Sequence, residues 1–234
     1  MNGRGVVILP TYNEAENLPL MVEQVLAHSL DVMVVDDGSP DGTGDIAEGL
    51  KRESGGRVQA FHRPGKMGLG GAYLLGFKQA LTAGFDFIFE MDCDFSHDPD
   101  DLPRLLGQAA GADLVLGSRY VAGGGTINWN VFRQLISRSG SLYAKLILGL
   151  PYQDLTGGFK CFRRGVLEAL DLDSVRSNGY AFQIELTYRA HQRGFRIVEM
   201  PIVFKERRLG TSKMSKDIVT EAAAMVWRLK FSAK

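Results

Sequence analysis

Gly5-Val6-Val7-Ile8-Leu9-Pro10 decides the fold: it is a β-branched run closed by proline, and helical spacing follows through Leu18, Met21, Val22, Val25 and Leu26. The pattern predicts a strand and then a helix over 14–26. The same order returns at Val32-Met33-Val34-Val35 with a helix over 41–52, and at Val58-Gln59-Ala60-Phe61 with one over 69–83. A strand over 85–91, a helix over 98–110 and a strand at Leu114-Val115-Leu116 extend the series. Strands that alternate with helices in this way predict an α/β fold: a mostly parallel, doubly wound sheet with helices on both faces.

Beyond Tyr120 the alternation fails. A glycine-rich loop leads to a helix over 132–148, a turn over 149–154, a segment through Cys161-Phe162 and a helix over 182–192 ended by Gly194. A strand over 195–198, a basic loop and an amphipathic helix over 217–231 complete the chain. With 234 residues, 45% hydrophobic and 23% charged, one large core is affordable without a split, so the expectation is a single domain over 1–234.

Charge excludes one class of partner. The 27 basic and 27 acidic residues balance, which leaves no electrostatic case for nucleic-acid binding. The charges are clustered, however: Asp92, Asp94, Asp98, Asp100 and Asp101 share one loop, and Arg193, Arg196, Lys205, Arg207, Arg208, Lys213 and Lys216 share one stretch. An acidic and a basic cluster suit a metal and phosphates at one site. Cys93 and Cys161 lack metal-ligand spacing, and the N-terminus does not read as a signal peptide, so a reducing cytoplasm is the expected compartment. No run of 18 apolar residues is present, so no transmembrane domain is expected.

In doubly wound sheets ligands bind outside the carboxyl ends of strands, which here means after Leu9, after Val35 and after Met91. At the last of these, Asp92 and Asp94 flank Cys93 and supply hard oxygens that suit Mg²⁺ or Mn²⁺ on a diphosphate. Asp-x-Asp pairs are also common in loops, and Asp98 to Asp101 would make an ordinary helix cap. After Val35, Asp36-Asp37-Gly38-Ser39-Pro40-Asp41-Gly42 offers a carboxylate for a ribose or base, or simply a good turn. These readings stay open on the residues alone.

Leu9-Pro10-Thr11-Tyr12-Asn13-Glu14, Val35-Asp36-Asp37-Gly38-Ser39-Pro40-Asp41-Gly42-Thr43 and Asp92-Cys93-Asp94-Phe95-Ser96-His97 together resemble the inverting GT-A-fold glycosyltransferases, the nucleotide-diphospho-sugar transferase fold. Gly68-Leu69-Gly70, Gly117-Ser118-Arg119-Tyr120, Asp154-Leu155-Thr156-Gly157-Gly158-Phe159 and Arg207-Arg208-Leu209-Gly210-Thr211-Ser212-Lys213 are similar to the dolichol-phosphate and polyprenol-phosphate mannosyltransferase branch. The resemblance spans Leu9 to Lys213 and implies a nucleotide-sugar half over about 1–120, an acceptor half over about 121–216 and a C-terminal amphipathic helix over about 217–234.

Residue by residue, the resemblance implies that Pro10, Tyr12, Glu14, Val35 and Asp37 hold the base and ribose. It implies that Asp92, Asp94 and Ser96 hold Mg²⁺ or Mn²⁺, with Cys93 contacting the donor through its backbone. Arg119 is expected to contact the donor, and Arg207 and Lys213 to grip phosphate from a loop over the site, with Asp92, Asp94, Arg119 and Arg207 as the catalytic set. Arg133 and Ser137 are expected to receive the acceptor phosphate, with Arg138 an alternative to Arg133.

The implied reaction moves mannose from GDP-mannose to a polyprenyl or dolichyl monophosphate at the cytoplasmic face of a membrane, through peripheral contact or a separate membrane-anchoring protein. The competing readings are a transferase of UDP-glucose or another donor, a nucleotidyltransferase, and a nucleotide-binding regulatory module without activity. His97, Cys161 and His191 lack partners at suitable spacing and are read as structural, and Glu185 as scaffold.

Overall fold

The computed structural model describes residues 3–206 and 225–231. Six strands of one seven-stranded sheet run parallel: β1 (Gly5–Thr11), β2 (Asp31–Asp36), β3 (Val58–His62), β4 (Phe87–Glu90), β5 (Leu114–Ser118) and β8 (Ile197–Pro201). The seventh, β7 (Lys160–Arg163), is inserted antiparallel between β4 and β5, so the order across the sheet is β3-β2-β1-β4-β7-β5-β8. Two short strands, β6 (Gly125–Ile127) and β9 (Val203–Lys205), pair in parallel beside it. The helices are α1 (Leu18–Ala27), α2 (Thr43–Glu53), α3 (Leu69–Thr82), α4 (Leu102–Gln108), α5 (Val131–Leu148), α6 (Arg164–Ala169) and α7 (Gly179–Gln192), and residues 225–231 are helical.

Both faces of the sheet are covered, which is why its strands read as unbroken apolar runs. Val6, Ile8, Met33 and Val35 point into one core with Tyr73, Phe77, Phe162 and Phe182, from α3, β7 and α7. Val7, Leu9, Val32 and Val34 point into the other with Leu18, Met21, Val25 and Leu105, from α1 and α4. The helix α3 lies close on β1: a Cβ at Gly76 would meet Ile8 Cγ2 at 2.6 Å.

Most expected elements stand, with ends shifted where local chemistry overrides periodicity. The first helix begins at Leu18 rather than 14 because Pro19 fits only its first turn. The helix expected over 98–110 splits into a 3-10 turn, Pro99–Asp101, capped by Asp98, and α4. The segment through Cys161 is the strand β7, and its direction matters for the site. Running against its neighbours, it starts where β4 and β5 end, with Lys160 opposite both Glu90 and Leu116. That brings the preceding loop, Asp154 to Phe159, to the carboxyl edge of the sheet.

Candidate active site

The three expected ligand positions converge. In the sheet Thr11 lies opposite Asp36, and Ile8 lies opposite Glu90, so the loops after β2, β1 and β4 emerge side by side. Each loop is tied to its neighbour. Thr11 Oγ1 donates to Asp36 Oδ1 (3.0 Å), Ser39 Oγ donates to the same oxygen (2.5 Å), and the Asn13 N–H donates to Ser39 Oγ (3.0 Å). Asp41 precedes Gly42, the N-cap of α2. It accepts from the Ala15 N–H and from Thr43, whose hydroxyl in turn accepts from the Glu14 N–H, so the loop carrying Tyr12 and Glu14 is latched onto the Asp41 turn.

Asp37 accepts from Arg63 Nη1 (2.8 Å) and from the Met67 N–H (3.1 Å), so both its oxygens hold the 63–68 loop. Burial raises its pKa, and the Arg63 charge opposes the shift. Gly38 must be glycine here: φ is +67° and a Cβ would lie 3.1 Å from Gly65 Cα. Lys66, on the same loop, sits 4.5 Å from the centroid of the Tyr12 ring. Pro10, Tyr12 and Glu14 are half-buried, and Val35 is fully buried beneath them.

Asp92 and Asp94 lie just beyond β4. Asp94 is 5% exposed and its Oδ1 accepts from the Ser96 N–H (3.0 Å), whereas the Asp92 side chain is 32% exposed. Two residues without a sequence-based role position this turn. Tyr73 Oη donates to Asp92 Oδ1 (3.4 Å), and the Asp92 N–H donates to His97 Nδ1 (3.2 Å). His97 is buried between Phe159 and Phe204, and burial depresses its pKa to about 4, so the imidazole is neutral and free to accept. Phe95, between Asp94 and Ser96, has φ +60°. Cys93 is buried, and burial pushes its thiol up.

The donor set fits a hard divalent cation. Carboxylates at 92 and 94 and the Ser96 hydroxyl supply oxygen only, and among the described residues no group of three His, Cys, Asp or Glu side chains would enclose a metal alone. Such a cation would complete its shell with diphosphate oxygens and water, as Mg²⁺ and Mn²⁺ do.

Arg119 follows β5 and is 4% exposed. Its Nε and Nη2 donate to Asp154 Oδ2 and Oδ1 at 2.7 Å each, and Nη2 also donates to Thr156 Oγ1 (3.0 Å). Burial works against the arginine's charge, but Asp154 outweighs it and holds the guanidinium above its ordinary range; Asp154 is held low in return. Asp154 is a lone aspartate in a glycine turn, which carries no sequence signal that it will meet an arginine 35 residues away.

In the second half of the chain α5 carries Arg133 and Ser137. Asn130 caps the helix by accepting from the Arg133 N–H (2.8 Å). The Arg133 guanidinium lies 4.2 Å from the Trp129 ring centroid and donates to Glu206 Oε1 (2.9 Å), while its buried Nε has no hydrogen-bond partner among the described residues. Tyr120 Oη donates to Ser137 Oγ (2.6 Å), and Arg138 lies over the Tyr120 ring. Arg207 and Lys213 lie outside the described residues.

The sequence matches Glycosyl transferase family 2 over residues 6–171. It is 49% identical over 233 residues to an undecaprenyl-phosphate mannosyltransferase of Micrococcus luteus, spanning 99% of this chain and 96% of that one. It is 50% identical over 222 residues to a polyprenol monophosphomannose synthase of Mycolicibacterium smegmatis, spanning 94% of this chain and 84% of that one. The fold is shared with glucosyl-3-phosphoglycerate synthase from Mycobacterium tuberculosis, solved with Mn²⁺, uridine diphosphate and glucosyl-3-phosphoglycerate (TM-score 0.66, 19% identity, 99% of this chain and 80% of that one). The chain belongs to glycosyl transferase family 2 and is a GT-A-fold glycosyltransferase of the polyprenyl-phosphate mannosyltransferase type.

Proposed function

We propose that the protein transfers mannose from GDP-mannose to a polyprenyl or dolichyl monophosphate, with inversion at the anomeric carbon and release of GDP. The observation that carries this reading is the meeting, at one sheet edge, of the latched Tyr12–Asp37 pocket, the Asp92–Asp94 oxygens and a basic acceptor helix; full-length similarity to two lipid-phosphate mannosyltransferases supports it.

Pro10, Tyr12, Glu14, Val35 and Asp37 hold the base and ribose. Asp92, Asp94 and Ser96 hold Mg²⁺ or Mn²⁺, whose bound charge would stabilise the departing diphosphate. The Cys93 backbone and Arg119 contact the donor, and Arg207 and Lys213 serve its phosphates. Arg133 and Ser137 receive the acceptor phosphate. That phosphate is already anionic near neutral pH, so catalysis is mainly positioning and charge neutralisation. Its oxygen forms a bond to the anomeric carbon from the face opposite the diphosphate; the carbon–oxygen bond to the diphosphate breaks, and the electron pair leaves with GDP. Tyr73 keeps the Asp92 carboxylate in place, and His97 holds the Asp92 backbone.

The site is placed at the cytoplasmic face of a membrane. No helix among the described residues is long and apolar enough to cross one; contact is proposed to be peripheral or through a separate anchoring protein. The terminal helical residues fit a surface role: Val226 and Leu229 are buried while Trp227 and Phe231 stack outward, 48% and 71% exposed.

The test is incubation with Mg²⁺ or Mn²⁺, a short polyprenyl phosphate and, in separate reactions, GDP-mannose, GDP-glucose and UDP-glucose, with lipid-linked sugar followed by mass spectrometry. Product from GDP-mannose that vanishes in Asp94→Ala supports the assignment. Product only from UDP-glucose, or from none of the three, overturns it.

A further inference from the structure

The helix that carries Arg133 and Ser137 also exposes a run of large apolar side chains that none of the described residues covers. Val131 is 79% exposed, Phe132 71%, Leu135 61%, Leu142 54% and Leu146 72%. At about 100° per residue, Val131, Leu135, Leu142 and Leu146 fall within about 60° of arc, with Phe132 beside them. Ser141, Ala144 and Leu148, which are buried against the domain, lie on the opposite side with Arg133 and Ser137. The outward face of the helix is therefore apolar, where that of an ordinary surface helix is polar. Over its 18 residues it has three basic side chains, Arg133, Arg138 and Lys145, and no acidic one. Arg138 and Lys145 edge the apolar stripe.

We propose that α5 is the surface by which the protein docks on an anionic lipid bilayer, its outward stripe sunk into the headgroup and acyl boundary. The inference rests on the reading of Arg133 and Ser137 as the acceptor-phosphate residues and extends it. An interfacial helix lies about 5–10 Å into that boundary, and a helix with its side chains is about 10–12 Å across. With the stripe immersed, the opposite side of α5 sits at the depth of lipid phosphates, which is where Arg133 and Ser137 must meet theirs. A polyprenyl phosphate then reaches the site without leaving the bilayer. The lack of any acid on α5 matches a negative surface, and the exposed leucines, outside the core, do not match a role in folding.

The experiment compares wild type, Leu135→Ser/Leu142→Ser/Leu146→Ser and Trp227→Ser/Phe231→Ser in flotation with vesicles of phosphatidylcholine, with and without phosphatidylglycerol. Thermal unfolding confirms that each variant is folded. Wild type is expected to float with the anionic vesicles and to be released by salt, and the α5 variant to bind on the order of tenfold more weakly. Turnover of a long polyprenyl phosphate in vesicles falls with binding, while turnover of a short, water-soluble prenyl phosphate stays at the wild-type level. Undiminished vesicle binding by the α5 variant overturns the proposal, as does a loss confined to the terminal variant. A wild-type dimer that the α5 substitutions convert to monomer, with vesicle binding intact, overturns it too and assigns the face to a second copy. Failure of the transferase reading shows separately, as absence of product from the short acceptor in wild type.

Discussion

The two halves of the site are built differently. On the donor side the loops after β1, β2 and β4 are cross-tied by short side-chain bonds, through Asp36, Asp37, Asp41 and His97, and most of these groups are buried. On the acceptor side the same sheet edge is met by α5, by strands of three residues and by an arginine paired to a 43%-exposed glutamate. The seam between them is buried charge: Arg119 of the first half with Asp154 of the second, and Glu90 with Lys160. A rigid donor pocket and an outward-facing acceptor surface are what transfer from a soluble nucleotide to a lipid requires. The former must be preorganised, and the latter must open onto another phase.

Cutting the seam has the largest expected effect. Asp154→Ala leaves the Arg119 guanidinium buried without its counter-charge and is expected to lower stability by about 3–5 kcal/mol, read by chemical unfolding. A loss below about 1 kcal/mol would show that the two halves are joined by other means. Lys160 tests the same seam by pH. Burial lowers its pKa from 10.5 to about 8, so the unfolded chain binds the extra proton between those values, and wild-type stability gains with pH across that window. In Lys160→Met that gain disappears, and the difference between the two proteins should therefore change from about pH 8 to 10.5.

The locked side is sharpened by Asp37→Asn, which weakens the hold on Arg63 and the Met67 amide. The expected outcome is a rise of about tenfold in the donor KM, with the acceptor KM unchanged, in steady-state kinetics. The open side gives the smallest effect. In Glu206→Gln, Arg133 no longer carries a competing carboxylate, and the acceptor KM is expected to fall about twofold to fivefold while the donor KM holds.

The same contrast explains what the sequence made legible. The parallel strands are buried on both faces, so their apolar runs were plain, and their carboxyl ends located Tyr12, Asp37, Asp92 and Asp94. The strand β7 was not read as one: it has four residues, Lys160 at one end and Arg163 at the other, and nothing local gives its direction. His97 was set aside for want of a partner because that partner is a backbone N–H, which no side-chain pattern reveals. The terminal segment reads as an amphipathic helix, yet among the described residues the larger exposed apolar face is on α5. Periodicity finds an apolar stripe on a helix, but only packing shows which side faces the core.

The central claim, transfer of the sugar to a phosphate oxygen by a single displacement, is tested most directly by the stereochemistry and stoichiometry of one turnover. Wild type with GDP-mannose and a short prenyl phosphate should yield one GDP per mannosyl phosphate, with the anomeric configuration opposite to the donor's by NMR. A retained configuration, or pyrophosphate in place of GDP, would contradict the account.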